Sequence, residues 1–234
     1  MEFLRRFFTD ISDIICPNSC ISCGCHLKAG KENFLCPNCW ENYEKTDFSP
    51  DAENLIIQSF KSEGINIVHG YAFLKFDKKE TTQKILHNIK YFRHPELGVK
   101  FGRIAALKLT ELGVFKTVDY ILPVPMHPEK QKKRGYNQAE KIAEGLSEVL
   151  NKPLKLGVLE KIKNIKSQTR MNKVQRRANS ANAFKANRVG ELSDKHFLIV
   201  DDVFTTGATL ETCAKVLLEA MPECKISIFA LAKA

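Results

Sequence analysis

The stretch that most constrains the fold is Phe197–Leu210, in which a fully apolar run leads into two adjacent carboxylates, a hydroxyl-rich loop and a helical pattern. This order is typical of an α/β sheet, whose ligands bind beyond the carboxyl ends of the strands. Free amides at a following helix start attract phosphate, and neighbouring carboxylates accept hydrogen bonds from sugar hydroxyls or hold hydrated Mg²⁺. The stretch therefore predicts a site for a phosphorylated sugar. The alternative is that these polar side chains merely cap the loop.

The rest of the chain beyond about residue 54 favours the same fold class, because helical patterns alternate with short apolar runs. We expect a mainly parallel sheet flanked by helices. Proline at Pro123 and Pro125 cannot continue a central ladder, so a loop is expected there. Asn137, with Glu140 three residues later, predicts a helix start. Strands are predicted at 68–76, 118–122, 197–200 and 225–232, and further helices at 80–92, 99–112 and 210–220.

Cysteine placement predicts a separate metal-binding module at the N-terminus. Six of the eight cysteines fall between Cys16 and Cys39, and four of them form two C-x-x-C pairs, Cys20/Cys23 and Cys36/Cys39. Two such turns facing each other supply the four sulfurs that structural zinc prefers. A disulfide framework or a redox pair is a weaker explanation, and Cys16 or Cys25 could replace a neighbouring ligand.

Before the cysteines, apolar residues recur at helical spacing between residues 3 and 15. We interpret this helix as docking on the protein's own body, since its polar face lacks the basic character of a membrane-surface helix. Residues 41–53 read as a linker, which gives two predicted units, 1–50 and 51–234. No apolar run approaches the roughly 20 residues of a membrane span, and the N-terminus lacks the features of a secretory signal. A cytoplasmic protein is expected.

The basic charge is concentrated in one segment. Residues 121–190 hold 16 lysines and arginines against 5 acidic residues, whereas the whole chain carries a net charge of +9. Such a segment is either a solvated face or a surface that meets phosphate. A polar, cationic stretch of this kind can track a phosphate backbone. The residues expected to do so are Arg134, Lys161, Lys163, Lys166, Arg170, Lys173, Arg176 and Arg177, with Tyr136 as an aromatic neighbour.

These residues carry a family resemblance. Val200–Leu210 resembles the PRPP (phosphoribosyl pyrophosphate) loop of type I phosphoribosyltransferases. The wider chain resembles the ComF/GntX family of competence-associated proteins, which join a four-cysteine zinc module to a phosphoribosyltransferase-like domain. Besides the cysteine pairs, the match includes Leu122-Pro-Val-Pro125, Arg134-Gly-Tyr-Asn-Gln138, Gln168-Thr169, and Arg176 followed by Asn179, Ala183 and Phe184. Tyr136 stands where the family usually has phenylalanine, and Cys16 where it usually has an aromatic residue.

The resemblance implies roles for particular residues. The PRPP site, with Mg²⁺, would consist of Asp201, Asp202, Thr205, Thr206, Gly207, Ala208 and Thr209. Residues that would line its cleft or a hood over it are Lys90, Arg134, Asn137, Gln138, Gln168, Arg176 and Asn179. Cys20, Cys23, Cys36 and Cys39 would hold one structural zinc. We identify no general base, so the catalytic residues and turnover itself are left open.

Three functions compete at this stage. The favoured one is a PRPP-binding, phosphoribosyltransferase-like protein of the ComF type that serves natural competence and the uptake of single-stranded DNA, with a competence helicase as a candidate partner. The alternative is an active phosphoribosyltransferase of nucleotide or base metabolism with no DNA role. The third is a zinc-scaffolded adaptor with a vestigial ribosyl site, against which the intact Asp201–Gly207 motif argues.

Overall fold

The computed structural model describes residues 19–27, 34–49, 53–76, 81–91, 94–163, 183–187 and 190–234. Within these residues the centre of the fold is a parallel sheet in the order β1-β6-β5-β2. Its strands are β1 (Gly70–Lys75), β2 (Tyr120–Pro123), β5 (His196–Phe204) and β6 (Lys225–Lys233), and an antiparallel pair consists of β3 (Leu159–Lys161) and β4 (Phe184–Ala186). Because the four central strands run parallel, their carboxyl ends meet at one edge of the sheet.

Helices cover both faces of this sheet. They are α1 (Pro37–Glu41), α2 (Leu55–Lys61), α3 (Thr81–Tyr91), α4 (Pro95–Glu111), α5 (Pro128–Arg134), α6 (Gln138–Leu150) and α7 (Ala208–Ala220), with a 3-10 turn at Gly190–Leu192. The apolar sides of α3, α4 and α6 pack on one face, and those of α2 and α7 on the other. Strand β5 follows this division, since Leu198 and Val200 join the first core and Phe197 and Ile199 the second. Burial on both faces explains its continuous apolar run.

The parallel sheet and its strand positions confirm the predicted fold class, with local differences. Strand β5 does not end before the carboxylates: it continues through Asp201 and Asp202 to Phe204, which pairs with Lys233. The predicted strand 197–200 was therefore too short, because it left out the last four residues of β5. Pro123 is the last residue of β2, opposite Val200. Proline is tolerated there because β2 lies at the end of the sheet order, so one side of it needs no ladder donor.

Two glycines set the distance between the long helices α4 and α6. A Cβ atom added at Gly102 would collide with the carbonyl oxygen of Ile142, and one at Gly145 with the carbonyl oxygen of Val99. Both glycines lie inside helices, where glycine costs about 1 kcal/mol relative to alanine. The close approach of the two backbones accounts for their presence.

The cysteine-rich segment packs on this body rather than standing apart from it. The Trp40 ring stacks on Phe101 of α4, with 5.4 Å between ring centroids. Residues 44–46 run antiparallel to β1, where the Thr46 amide donates to the Phe73 carbonyl at 2.9 Å. The predicted linker 41–53 therefore includes residues with ordered backbone partners. The predicted helix over residues 3–15 lies outside the described residues.

No helix in the described ranges is both long enough and apolar enough to cross a bilayer.

Candidate functional site

The two aspartates at the carboxyl end of β5 lie on opposite faces of the sheet, as successive residues of a strand do. Asp202 is buried and its Oδ2 lies 3.0 Å from Nζ of Lys90, the penultimate residue of α3. The Asp202 amide donates to Oδ1 of Asp201 at 2.8 Å. On the other face, Asp201 interacts electrostatically with Lys161 of β3 and with Cys213 of α7. The predicted pair is therefore divided between two environments.

These environments shift the proton affinities in the site. Burial, and then the neighbouring Asp202 carboxylate, raise the pKa of Asp201 to about 7. Burial alone would lower the pKa of the Lys90 ammonium, but Asp202 and then Asp201 outweigh it and the pKa is raised. Lys90 is therefore charged at neutral pH, while Asp201 keeps its proton to a higher pH than an exposed carboxyl group does. A carboxyl group poised in this way is typical of ligand sites.

The loop after β5 has the geometry of an anion-binding turn. Gly207 adopts a left-handed φ of 79° and precedes the first residue of α7, Ala208. Gly207, the N-cap residue, has no side chain to cap the first amides of this helix, and Thr205, Thr206 and Thr209 are exposed or half-exposed around it. A side chain at Gly207 would lie 2.9 Å from the Phe204 ring. Helix amides at such a terminus bind phosphate well.

The Arg134–Gln138 motif supports the helix end that carries Lys90. The Tyr136 hydroxyl donates to the carbonyl oxygen of Ile89, and the Arg134 guanidinium lies 5.5 Å from the Tyr91 ring centroid while it donates to Gln138. The motif thus contacts the last turn of α3. The structure brings Arg134 and Lys90 to the same end of α3.

Both polar atoms of the Asn137 side chain form hydrogen bonds within the protein. Its amide nitrogen donates to the Val124 carbonyl at 3.0 Å, and its oxygen accepts from the Ala139 amide, which confirms the predicted helix start. Asn137 also lines a cavity of about 150 Å³ beyond the end of β2, together with Pro123, Pro125 and Glu140. In this structure it ties the loop after β2 to α6.

Sequence reasoning missed one cation of the site, Lys130 on α5. Burial, then Lys161 and Arg134, lower the pKa of Lys130, so these three cations are close enough to repel one another. Lys161 in turn interacts with Asp201. The sequence predicts only a loop after Pro125, and it gives no sign that Lys130 approaches Lys161 and, through it, Asp201. The hood candidates Gln168, Arg176 and Asn179 lie outside the described residues, between β3 and β4.

The four predicted metal ligands form one cluster. Their sulfurs, on Cys20, Cys23, Cys36 and Cys39, all lie within 4.8 Å of one another, and the Cys23–Cys36 separation is 3.7 Å. Zinc–sulfur bonds of about 2.3 Å in a tetrahedron require sulfur–sulfur distances of about 3.8 Å. The donor set and its spacing therefore fit a tetrahedral thiolate-bound ion such as zinc.

The backbone around the cluster explains this convergence. Gly24 has the positive φ of 75° expected after the first pair, and the amides of Cys20 and Gly24 close the turn through bonds to Cys25 and Cys20. The Cys25 amide, as the largest influence, lowers the pKa of Cys23 to about 6. Cys25 itself is exposed and is not in the cluster. Cys16 lies outside the described residues.

The parallel sheet and its order of strand, aspartate pair, loop and helix have the type I phosphoribosyltransferase-like fold, with a four-cysteine cluster packed against it. Residues 132–234 match the sequence model of the family described as "Phosphoribosyl transferase domain". This match begins in α5 and includes β5, the aspartate pair and the loop before α7.

Curated relatives extend the similarity. The chain is 35% identical over 120 residues to Competence protein F of Haemophilus influenzae, covering 51% of this chain and 52% of the relative. It is 28% identical over 139 residues to DNA utilization protein YhgH of Escherichia coli O157:H7, covering 57% and 60%. Competence protein ComFC of Bacillus subtilis is 32% identical over 111 residues, with coverage of 47% and 43%. The chain thus spans about half the length of the curated relatives it matches, and the resemblance to the ComF/GntX proteins is confirmed.

Proposed function

We propose that this chain binds PRPP with Mg²⁺ at the end of β5 and, like the relatives named for competence and DNA utilization, serves the handling of incoming single-stranded DNA. The observation that carries the proposal is the arrangement of Asp201, Asp202 and the start of α7, which has glycine at its N-cap, at one sheet edge. Carboxylates, free helix amides and nearby lysines are the groups that a ribose phosphate needs.

Each part of PRPP has a matching group in this arrangement. The amides and hydroxyls of residues 205–209 would hold the 5-phosphate, as helix starts hold anions. Asp201 and Asp202 would accept hydrogen bonds from the ribose hydroxyls, and carboxylate with phosphate oxygens suits Mg²⁺. Lys90, Lys130 and Lys161 supply positive charge for the pyrophosphate. The same charges would stabilise a departing pyrophosphate if the protein transfers the ribosyl group.

We further propose that the four-cysteine cluster holds one structural zinc. Four convergent thiols are the donor set of structural rather than catalytic zinc, because no position is left for water or substrate. The ion would hold the turns at Cys20–Cys23 and Cys36–Cys39 together. It takes no part in ligand chemistry at β5.

Calorimetric titration with PRPP and Mg²⁺ tests the ligand. Hydrogen bonds to charged groups are worth about 1.5–3 kcal/mol each, so Asp201→Asn with Asp202→Asn should weaken binding at least tenfold, which corresponds to about 1.4 kcal/mol. Glu160→Gln, at an exposed position of β3, is the matched control and should leave the affinity unchanged. Absence of binding to the wild type, or equal binding to the double variant, would contradict the assignment.

The same titration with single-stranded DNA separates this function from a purely metabolic enzyme. Each neutralised phosphate contributes about −0.7 to the salt slope for single strands. Replacing Lys166, Lys173, Arg176 and Arg177 together by glutamine should reduce the slope and weaken binding without unfolding the chain. If the wild type binds no single-stranded DNA at low salt, the metabolic alternative takes the lead. An unchanged slope in the variant would place the DNA surface elsewhere, with the cysteine cluster the first place to look.

A further inference from the structure

Helix α3 connects the four-cysteine cluster directly to the aspartate pair. At its first residue, Thr81 Oγ1 lies 2.7 Å from Oγ of Ser22, which stands between the cluster residues Cys20 and Cys23. One turn later, the Lys84 ammonium donates to the Ser22 carbonyl oxygen. Ser22 is buried, so both of these contacts are shielded from solvent. The start of α3 is therefore fastened to the turn that presents two of the four thiols.

The other end of α3 holds the ligand site. Lys90, in its last turn, makes the 3.0 Å ion pair with Asp202, and the carbonyl of Ile89 accepts the Tyr136 hydroxyl. Eleven helical residues at 1.5 Å each separate the two ends by about 16 Å. Between them, Ile85 and Leu86 are buried in the same core as Cys20 and Cys39. A short helix packed along its length transmits a displacement of one end to the other.

We propose that the Cys20–Cys23 turn is a positioning element for the ribose-phosphate site, so that metal binding at the four cysteines and ligand binding at Asp201–Asp202 favour each other through α3. The proposal rests on the proposed function. A metal bound by Cys20 and Cys23 would hold the turn in which Ser22 lies. Ser22 is the hydrogen-bond partner of both Thr81 and Lys84, so the metal fixes the contacts at the start of α3. Without it, the first turn of α3 loses that anchor, and Lys90 is held less firmly against Asp202. Such coupling is reciprocal, because each ligand must change the affinity of the other by the same factor.

Thr81→Val tests this link without touching a thiol, a phosphate contact or Ser22 itself. It removes the hydroxyl at constant shape, and Gln83→Ala, exposed on the same helix, is its control. We expect Thr81→Val to retain one equivalent of metal but to lose about fivefold in PRPP affinity, the lower end of common coupling factors. In the reciprocal measurement, PRPP should slow zinc removal by a chelator in the wild type and less so in Thr81→Val. Gln83→Ala should match the wild type in both.

A double-mutant cycle distinguishes positioning from general weakening of the fold. Because Lys90 is the group that α3 positions, Thr81→Val should have no further effect on PRPP affinity in a Lys90→Met background. An equal loss in both backgrounds would overturn the proposal, since the hydroxyl would then act without Lys90.

Hydrogen exchange provides a readout that needs no PRPP. Exchange at residues 87–91, in the last turns of α3, should accelerate in Thr81→Val and on zinc removal, but not in Gln83→Ala. If the wild type binds no PRPP, the proposed function fails, and the link is decided by exchange alone. Unchanged exchange at the end of α3 in Thr81→Val would overturn the inference even if PRPP binds.

Discussion

The two aspartates at the end of β5 differ in their charge partners. Asp202 is neutralised by Lys90, whereas Asp201 keeps a raised pKa because burial and its neighbour disfavour its ionised form. The sequence predicted both carboxylates as ligand groups. It could not show which one has a counter-ion, because Lys90 is more than a hundred positions away and its pairing depends on how α3 packs.

Asp201→Asn should make the ligand-free protein more stable at pH 8 while weakening PRPP binding. A buried acid whose folded pKa is raised binds more protons when folded than when unfolded, so its effect on stability worsens as pH rises from about 4 to about 7. At pH 5 the folded wild type is already protonated, so the gain on substitution should be smaller there. Urea unfolding at both pH values, with calorimetry of PRPP, measures the two effects.

Asp194→Asn, at an exposed ion pair with Lys195, is the control and should change stability little at either pH. A change in stability on Asp201→Asn that is the same at pH 5 and pH 8, whether a gain or a loss, would mean that the raised pKa of Asp201 is not its cause.

At the scale of elements, periodicity predicted the long pieces well and the short ones poorly. Strand β5 and helices α3 and α6 follow clear apolar patterns. Helix α5, seven residues with no buried side chain, offers no such pattern, so its lysines were interpreted as part of a loop. The end of β5 was missed because Asp201 and Asp202 interrupt the apolar run, although their backbone still pairs with β6. The backbone of β5 stays paired with β6 beyond the last apolar residue of the run, and a sequence shows the apolar pattern but not the backbone pairing.

Gly145→Ala should separate α4 from α6 and destabilise the protein by about 1–3 kcal/mol, the usual cost of forcing atoms into a packed contact. Its Cβ would collide with the backbone of α4 at Val99, which cannot rotate away as a side chain can. Gly98→Ala on α4 is the comparison, since its nearest obstacle is the Lys141 Cβ at 3.1 Å. Chemical denaturation should show a clearly smaller change for Gly98→Ala; equal changes would argue against the close helix contact.

For the whole molecule, the cysteine-rich segment and the α/β sheet with its helices share one core. Cys20, Cys36 and Cys39 belong to the same buried cluster as Phe101 and Phe73. The division at residue 50 follows composition, and composition does not reveal that Trp40 stacks across it. The family resemblance predicted both units, but it did not predict that they pack against each other.

Zinc removal should therefore lower the stability of the entire chain. Cys20→Ser and Cys39→Ser should each lose the metal and depress the melting temperature of a single transition, because metal binding energy is folding energy in such sites. Cys25→Ser, outside the cluster, should keep one zinc per chain. Metal analysis with thermal unfolding checks this. Zinc retained in Cys20→Ser would refute the ligand set, and zinc lost in Cys16→Ser would add a residue to it.

The pairing of residues 44–46 with β1 protects the edge of the sheet from association with strands of other chains. An outermost strand with bare amides and carbonyls recruits further strands and leads to aggregation. Residues 44–46 cover β1 on one flank of the sheet, and on the other flank the Ile121 amide donates to the Pro153 carbonyl. Cutting the chain at residue 50 would uncover the first flank, so residues 51–234 expressed alone would be prone to self-association through β1.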